Sequence, residues 1–319
     1  MKRTFYAAAL AAAVIASAPA AAQLRQITVG TNPAGTIANV VGAGVAKLLQ
    51  NETGIRATAE AHGGTSSYLP LLDNGELTLG VFIGVDLGLA ARGEEPYSTA
   101  AENIRPIARM MRLDYGYVAR ADSGLTSVAD LKGKRVVVGI KSNIVLEKVN
   151  EAALATAGLS RDDVQAINAG GLGQGLTDVV EGRADASAIA LGIPALREAH
   201  ASLPGGVKVL ALGDEAIDEI AEKYASGARI GETVPSPTNV GVDAPMKAMA
   251  LDLYLVAGPT VDDETAYTFA KTIYDNWETL QEEIPALKRF KRDDIALKST
   301  PVPYADGAAK FYAEAGIGQ

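Results

Sequence analysis

The sequence predicts a two-lobed α/β protein in which each lobe is a mostly parallel sheet flanked by helices. Three observations carry this. Strand-like runs ending in glycine alternate with runs whose apolar residues recur at helical spacing, which is the grammar of βα units. The same arrangement occurs twice with matching glycine offsets. The chain has 319 residues, a length that suggests two domains rather than one.

The first copy begins with Gln26–Gly30, a strand closed by glycine, followed by helical spacing over Asn39–Leu49 and a stop at Gly54-Ile55. Arg56–Ala61 alternates as a second strand. Gly63-Gly64-Thr65 turns the chain, Ser66–Leu72 reads as a helix, and Leu77–Ile83 as a third strand. In the second copy the strand is Arg135–Gly139 and the helix Val145–Ala157, with Gly158 just past its end. A strand at Val164–Ala169, a turn at Gly170-Gly171, a helix at Gly175–Val180 and a strand at Ala184–Leu191 complete it. Gly30 to Gly63 is 33 residues and Gly139 to Gly170 is 31; Gly64 to Gly75 and Gly171 to Gly182 are both 11. Between the copies, Asn103–Asp122 is strand-rich, and Ser127–Leu131 is a short helix. After them come the Gly/Pro-rich segment Gly227–Pro245, a strand at Met249–Val256, a long helix at Asp262–Gln281 with an acidic first turn, and a helix at Ala305–Ala315. The expected organisation is a first lobe begun by residues 23–114, a second lobe of residues 115–238, and completion of the first lobe by residues 239–319, with two crossings between lobes.

Residues 1–22 follow a different logic. Met1-Lys2-Arg3 is a short basic region, Thr4 to Ala18 is apolar and alanine-rich, and Ala20-Ala21-Ala22 is a small-residue site. This is the pattern of a cleaved secretory leader, with the cut expected after Ala22 and a periplasmic mature chain starting at Gln23. Removal takes Lys2 and Arg3 from 29 basic residues and none of the 38 acidic ones, moving the formal charge from −9 to −11. So acidic a chain does not suit nucleic acid, whose phosphates need clustered Lys and Arg. Cysteine is absent, which rules out disulfides and a lipidated N-terminal cysteine and leaves stability in an oxidising space to the core.

Enzyme chemistry has little raw material. His62 and His200 are the only histidines, too few for a metal-ligand cluster, and Cys/His dyads are impossible. No metal is expected and no cofactor either. Gly30-Thr31-Asn32-Pro33-Ala34-Gly35 follows a strand but lacks dinucleotide-loop spacing, and Pro33 disturbs the turn. The strand-to-helix loops are more informative. Thr31, Asn32, Gly35 and Thr36 form one small polar loop, and Gly64, Thr65 and Ser66 a second. Lys141, Ser142 and Asn143 form a third, and Gly171 opens the fourth. Gly192, directly after the strand Ala184–Leu191, joins the candidate set. Such residues cap helices everywhere. In a parallel sheet, however, all these loops follow carboxyl ends of strands, where ligands bind, and free N–H groups at helix starts favour an anion. Lys141 is the cationic side chain in the four loops and a candidate partner for a carboxylate, with Arg112 a weaker one. His62 reads as a structural hydrogen-bonding residue.

The segments ITVGTNPAGTIANVVGAGVAKLLQNETGIRATAEAHGGTSSYLPLLDNGELTLGV, RADSGLTSVADLKGKRVVVG, EGRADASAIALGIPA and TPVPYADGAAKFYAEAGI, in this order and spacing, resemble the TAXI family of TRAP-transporter solute receptors. The resemblance covers the mature chain. It implies a two-lobed type II periplasmic-binding-protein fold, a non-enzymatic receptor, a TRAP membrane permease as partner, and a small carboxylate, dicarboxylate or glutamate-like ligand bound by a monomer. Thr36 matches the family threonine. Ile37 stands where relatives carry an aromatic residue, Ile83-Gly84-Val85-Asp86 replaces a Gln-Ser-Asp run, and Lys141-Ser142-Asn143-Ile144 replaces GSGT. These departures bear on the ligand rather than on the fold, and the second of them implies a lost polar ligand contact. Two alternatives stay open: a sensor subunit that reports occupancy to a membrane kinase, and an enzyme of similar fold.

Overall fold

The computed structural model describes residues 24–141 and 143–318. The expected leader, residues 1–22, and its cleavage site lie outside the described residues. The first part of the chain runs β1 (Gln26–Thr31), α1 (Ile37–Thr53), β2 (Arg56–Ala61), α2 (Thr65–Asp73), β3 (Leu79–Ile83), α3 (Gly84–Arg92) and β4 (Arg105–Arg120). Then come β5 (Arg135–Ile140), α4 (Val145–Ala155), β6 (Gln165–Ala169), α5 (Leu172–Val180), β7 (Ala186–Ala190), α6 (Pro194–Ser202), β8 (Val207–Val209), α7 (Asp218–Tyr224) and β9 (Ala228–Thr233). The chain closes with β10 (Met246–Ala257), α8 (Asp263–Asp275), α9 (Trp277–Glu283) and α10 (Asp306–Ala315). Among the described residues no helix is long and apolar enough to cross a membrane.

Local chemistry accounts for the elements. The strands β3 (LGVFI) and β7 (ASAIA) are buried at every position, as expected of strands covered by helices on both faces. Helix α1 starts where the Thr36 side chain accepts from Asn39 N and stops at Gly54 in the left-handed region, φ 71°, the usual grammar of a capped helix. Its face of Val41, Val45, Leu48 and Leu49 is buried.

The strands form one hydrogen-bonded path in the order β2-β1-β3-β10-β4-β7-β5-β6, with β9 added to β10 and β8 to β4. Within the groups β2-β1-β3 and β7-β5-β6 all pairing is parallel. The groups are joined by two long antiparallel strands. β4 pairs with β10 from Arg105 to Tyr115, then with β7 and β8 from Tyr115 to Arg120. The boundary expected between residues 114 and 115 therefore falls inside a single strand.

Three expectations need correction. The long helix over Asp262–Gln281 is two helices broken at Asn276. Trp277 is buried and donates from its indole N–H to Phe290 O at 3.2 Å, which ties the second helix to the segment that follows it. Helix α5 begins at Leu172 rather than Gly175, so Gly173 and Gln174 belong to its first turn. Helix α3, GVDLGLAAR with its two glycines, forms where the sequence predicts no element. Both are there for close approach: a Cβ on Gly84 would lie 3.0 Å from Gly227 O, and one on Gly88 2.9 Å from Ser226 O.

The crossing strands are locked by charge. Asp252 on β10 accepts from Arg109 Nε on β4 at 2.7 Å and from Arg229 Nε on β9 at 3.1 Å. Arg109 and Asp252 are buried, whereas the Arg229 side chain is 43% exposed. Removing one member of a buried pair strands the other charge and costs about 3–5 kcal/mol; an exposed partner contributes far less. Asp252→Ala should therefore lose about 3–5 kcal/mol in urea unfolding, and Arg229→Met clearly less. Equal losses would show that the Arg109–Asp252 pair does not hold the crossing.

Candidate functional site

Strand directions decide where a ligand can sit. β3 and β4 both run against β10, and Ile83 and Met111 lie opposite the same residue, Leu253. The end of β3 is thus level with Met111. β7 runs against β4 with Ala190 opposite Tyr115, and Leu191 N–H donates to Asp114 O at 2.7 Å. The carboxyl ends of β1–β3 and of β5–β7 therefore point toward each other. They are separated along β4 by Arg112, Leu113 and Asp114, a gap of about 13 Å at the usual strand rise.

Arg112 is half-buried, with Nε on Asp114 Oδ1 at 2.8 Å and Nη2 on Glu232 O at 2.9 Å. Arg289 reaches the same place from the turn after α9, donating from Nη2 to Arg112 O at 3.1 Å. Among the described residues Arg289 forms no ion pair. Burial draws its guanidinium below the ordinary value, Asp114 opposes the shift and Arg112 adds to it. Gly192 completes the junction. It holds φ 80° directly after β7, and a Cβ placed on it would lie 3.0 Å from Asn239 Oδ1 and 3.9 Å from Arg289 Nη1.

The other candidate residues divide by what their polar atoms already do. Thr31 is buried; its hydroxyl donates to carbonyls of Asn32 and Glu60 and accepts from Asn39 Nδ2. The Thr36 hydroxyl caps α1 and donates to Pro33 O at 2.8 Å. Thr65 is buried and donates to Asp86 Oδ1 at 2.7 Å. These three hydroxyls are engaged inside their own lobe. Gly64 is buried and precedes α2 without a side-chain cap, and Ser66 is exposed on its first turn. Gly35, at φ 86°, has open space on its Cβ side, and Gly171 precedes α5. Ser142 lies outside the described residues. Lys141 is exposed beside a depression of about 310 Å³ that Gly139, Ile140, Ile144, Glu147 and Asn168 also line. Glu147 in that wall is taken by Arg161, which also donates to Asn168 Oδ1 at 3.0 Å, and no ion pair involves Lys141 among the described residues.

Buried polar atoms without partners cluster at the same ends. Among the described residues there are five: Asn32 Oδ1, His62 Nε2, Asn143 Oδ1, Ser187 Oγ and Asn239 Oδ1. Asn32 and His62 directly follow β1 and β2, Asn143 stands three residues past β5, Asn239 lies against Gly192, and Ser187 alone lies within a strand, β7. Such groups are rare in folded proteins and mark sites that await a ligand, water or ion. The His62 main-chain N–H bonds Thr31 O at 2.9 Å and its ring stacks on Tyr68 at 5.3 Å, which agrees with a structural ring. Sequence reasoning missed Arg289 and Asn239. Neither lies in a strand-to-helix loop, and no local pattern sets them apart from other surface polar residues.

Asp86 ends the run Ile83-Gly84-Val85-Asp86, and its carboxylate is turned into the lobe. It is fully buried and accepts from Thr65 Oγ1, Tyr97 OH at 3.0 Å and Ile83 N at 3.3 Å. Burial raises it to about 6, against the lowering by these hydrogen bonds.

The fold is the α/β fold of type II periplasmic binding proteins. Among solved structures, PhnD1 from Prochlorococcus marinus (MIT 9301), in complex with methylphosphonate, is 15% identical with a TM-score of 0.55, over 84% of this chain and 91% of that one. A protein from Bordetella bronchiseptica RB50 is 14% identical with a TM-score of 0.53, over 92% of this chain and 98% of that one. At such identities the likeness speaks for the fold alone.

The raised Asp86 pKa has a definite sign. An unfolded aspartate titrates near 3.9, so the folded state holds a proton more tightly, and this contribution is complete below about pH 4 and lost as pH rises through about 6. The stability difference between the wild type and Asp86→Asn, which cannot titrate, should fall by about 2–3 kcal/mol between pH 4 and pH 7. A constant difference would contradict a protonated buried aspartate.

The model of the NMT1-like family matches residues 29–316, and the chain belongs to that family.

Proposed function

We propose that this protein is an extracytoplasmic solute receptor. It takes a small organic anion, a carboxylate, dicarboxylate or glutamate-like acid, into the gap between the facing strand ends and delivers it to a TRAP-type membrane transporter. The observation that carries this reading is Arg289, a guanidinium without an acidic partner among the described residues, set beside Arg112 where the carboxyl ends of both strand groups converge. Arg289 lies at the surface with its guanidinium only partly desolvated, and such a cation is stabilised by an incoming anion. Asn239 Oδ1, without a partner among the described residues and set against Gly192, supplies orientation rather than net charge. Thr31, Asn32, Gly35, Thr36, Gly64, Thr65, Ser66, Lys141, Ser142, Asn143, Gly171 and Gly192 remain the wider lining of this binding region. Thr31, Thr36 and Thr65 act in it by shaping their loops, because their hydroxyls are already engaged.

The resemblance to TAXI receptors supports the transport role, the periplasmic location and the absence of turnover. The scarcity of histidine and cysteine agrees with a receptor rather than a catalyst.

A thermal-shift screen tests the reading. The panel should hold organic carboxylates, phosphonates, sulfonates, neutral sugars and amines. A ligand at about a hundred times its Kd adds roughly 2.7 kcal/mol, which for a chain of this size raises the melting temperature by about 5 °C. At least one organic anion should give such a rise. Stabilisation by sugars or amines alone would refute the anion reading.

A further inference from the structure

We infer that the junction of Gly192, Asn239 and Arg289 is the head-group subsite of the receptor, and that it selects a hydroxy acid over the matching oxo or amino acid. The inference rests on the solute-receptor reading and goes beyond it by naming the chemistry next to the anionic group.

The geometry sets three requirements. Arg289 offers the anion anchor. One of its N–H groups is spent on Arg112 O, and no carboxylate pairs with it among the described residues. Its Nη1 borders the side-chain-free face of Gly192. The three atoms nearest to the point where a Cβ on Gly192 would stand are all polar: Asn239 Oδ1 at 3.0 Å, Arg289 Nη1 at 3.9 Å and Thr238 O at 3.9 Å. This face of Gly192 is therefore bordered by polar atoms, and the 3.0 Å to Asn239 Oδ1 leaves no easy room for a methyl group.

Asn239 fixes the kind of atom. It is 5% exposed, and its Nδ2 donates to Val234 O at 3.1 Å and Thr233 Oγ1 at 3.2 Å. A carbonyl such as Val234 O accepts only, so the amide cannot turn around. Its Oδ1 is left facing Gly192 as an acceptor with no donor. An acceptor of this kind is relieved by a donor and penalised further by a second acceptor. A ligand hydroxyl on the carbon next to the carboxylate supplies the donor. An oxo group at that carbon would set oxygen against oxygen.

Charge separates the hydroxyl from the amine. Arg112 and Arg289 stand against one buried carboxylate, Asp114, already bonded to Arg112. The junction has one positive charge in excess, and a single ligand carboxylate balances it. An ammonium beside Asn239 would restore the excess at short range from two guanidinium groups, where like charges repel. A neutral hydroxyl gives the hydrogen bond without that repulsion.

Calorimetry with two matched series tests the inference: 2-hydroxyglutarate, 2-oxoglutarate and glutamate, and lactate, pyruvate and alanine, using both enantiomers of each hydroxy acid. In the series that binds, a hydroxy acid should bind about tenfold or more tighter than its oxo and amino analogues. Gly192→Ala fills the space beside Asn239 and should erase that preference. Because its left-handed backbone strains any side chain, the wild-type series stands as the test should this variant fold poorly. Arg289→Gln, at an exposed position, should weaken all bound acids together by about 10- to 100-fold and keep their order. Equal or tighter binding of the oxo or amino acid by the wild type overturns the inference and leaves the receptor reading standing. So does an Arg289→Gln variant that binds the acids unchanged. A wild type that binds no acid, phosphonate or sulfonate overturns the receptor reading, and the inference falls with it.

Discussion

The pairing of β4 with β10 is the constraint on which the rest of the molecule depends. These two strands alone join the parallel groups β2-β1-β3 and β7-β5-β6. Their register sets the distance between the strand ends and the residues that fill it. The buried Arg109–Asp252 pair holds that register at the level of the gap. An ion pair in the core is an expensive way to gain stability, because desolvation consumes much of the attraction. Its value here is positional: Asp252 lies opposite Arg112, and a slipped register would leave Arg109 without its carboxylate. The pair thus ties strand alignment to the placement of Arg112 and Asp114.

From this follows the division of labour around the gap. The loops nearest the strand ends carry small residues whose hydroxyls satisfy their own backbone and neighbours, as at Thr31, Thr36 and Thr65. Their hydrogen bonds tie these loops to their own lobe. The groups left over among the described residues are amide oxygens, a ring nitrogen and the Arg289 guanidinium. A receptor needs this arrangement, because polar atoms that are fully paired in the empty protein have nothing to offer a ligand. The Asp86 carboxylate belongs among the engaged groups. It gathers Thr65, Tyr97 and the start of α3 at a point that solvent does not reach.

Much of the fold was legible in the sequence because its signals are local. Gly30, Gly63, Gly139 and Gly170 punctuate strand and helix in matching order, and the apolar run before Gly139 is that of a strand covered on both faces. The Thr36 cap and the Gly54 stop were legible for the same reason. What could not be read is long-range. Thr65 is buried because of Asp86, 21 residues on. The two glycines of α3 suggest a loop until Gly227 and Ser226 are seen pressed against them. Arg289 meets Arg112 across 177 residues. No spacing rule connects such partners, and the sequence pointed instead to Lys141, the cation inside a recognisable loop.

The central claim is that the facing strand ends hold an organic anion on Arg289. Its most direct test is native mass spectrometry of the purified protein beside its Arg289→Gln variant, with the retained small molecule released and identified after denaturation. The account predicts a noncovalent adduct on the wild type that is an organic acid, departs on unfolding, and is strongly reduced in the variant. A retained sugar or amine, or an acid carried equally by both proteins, would contradict it.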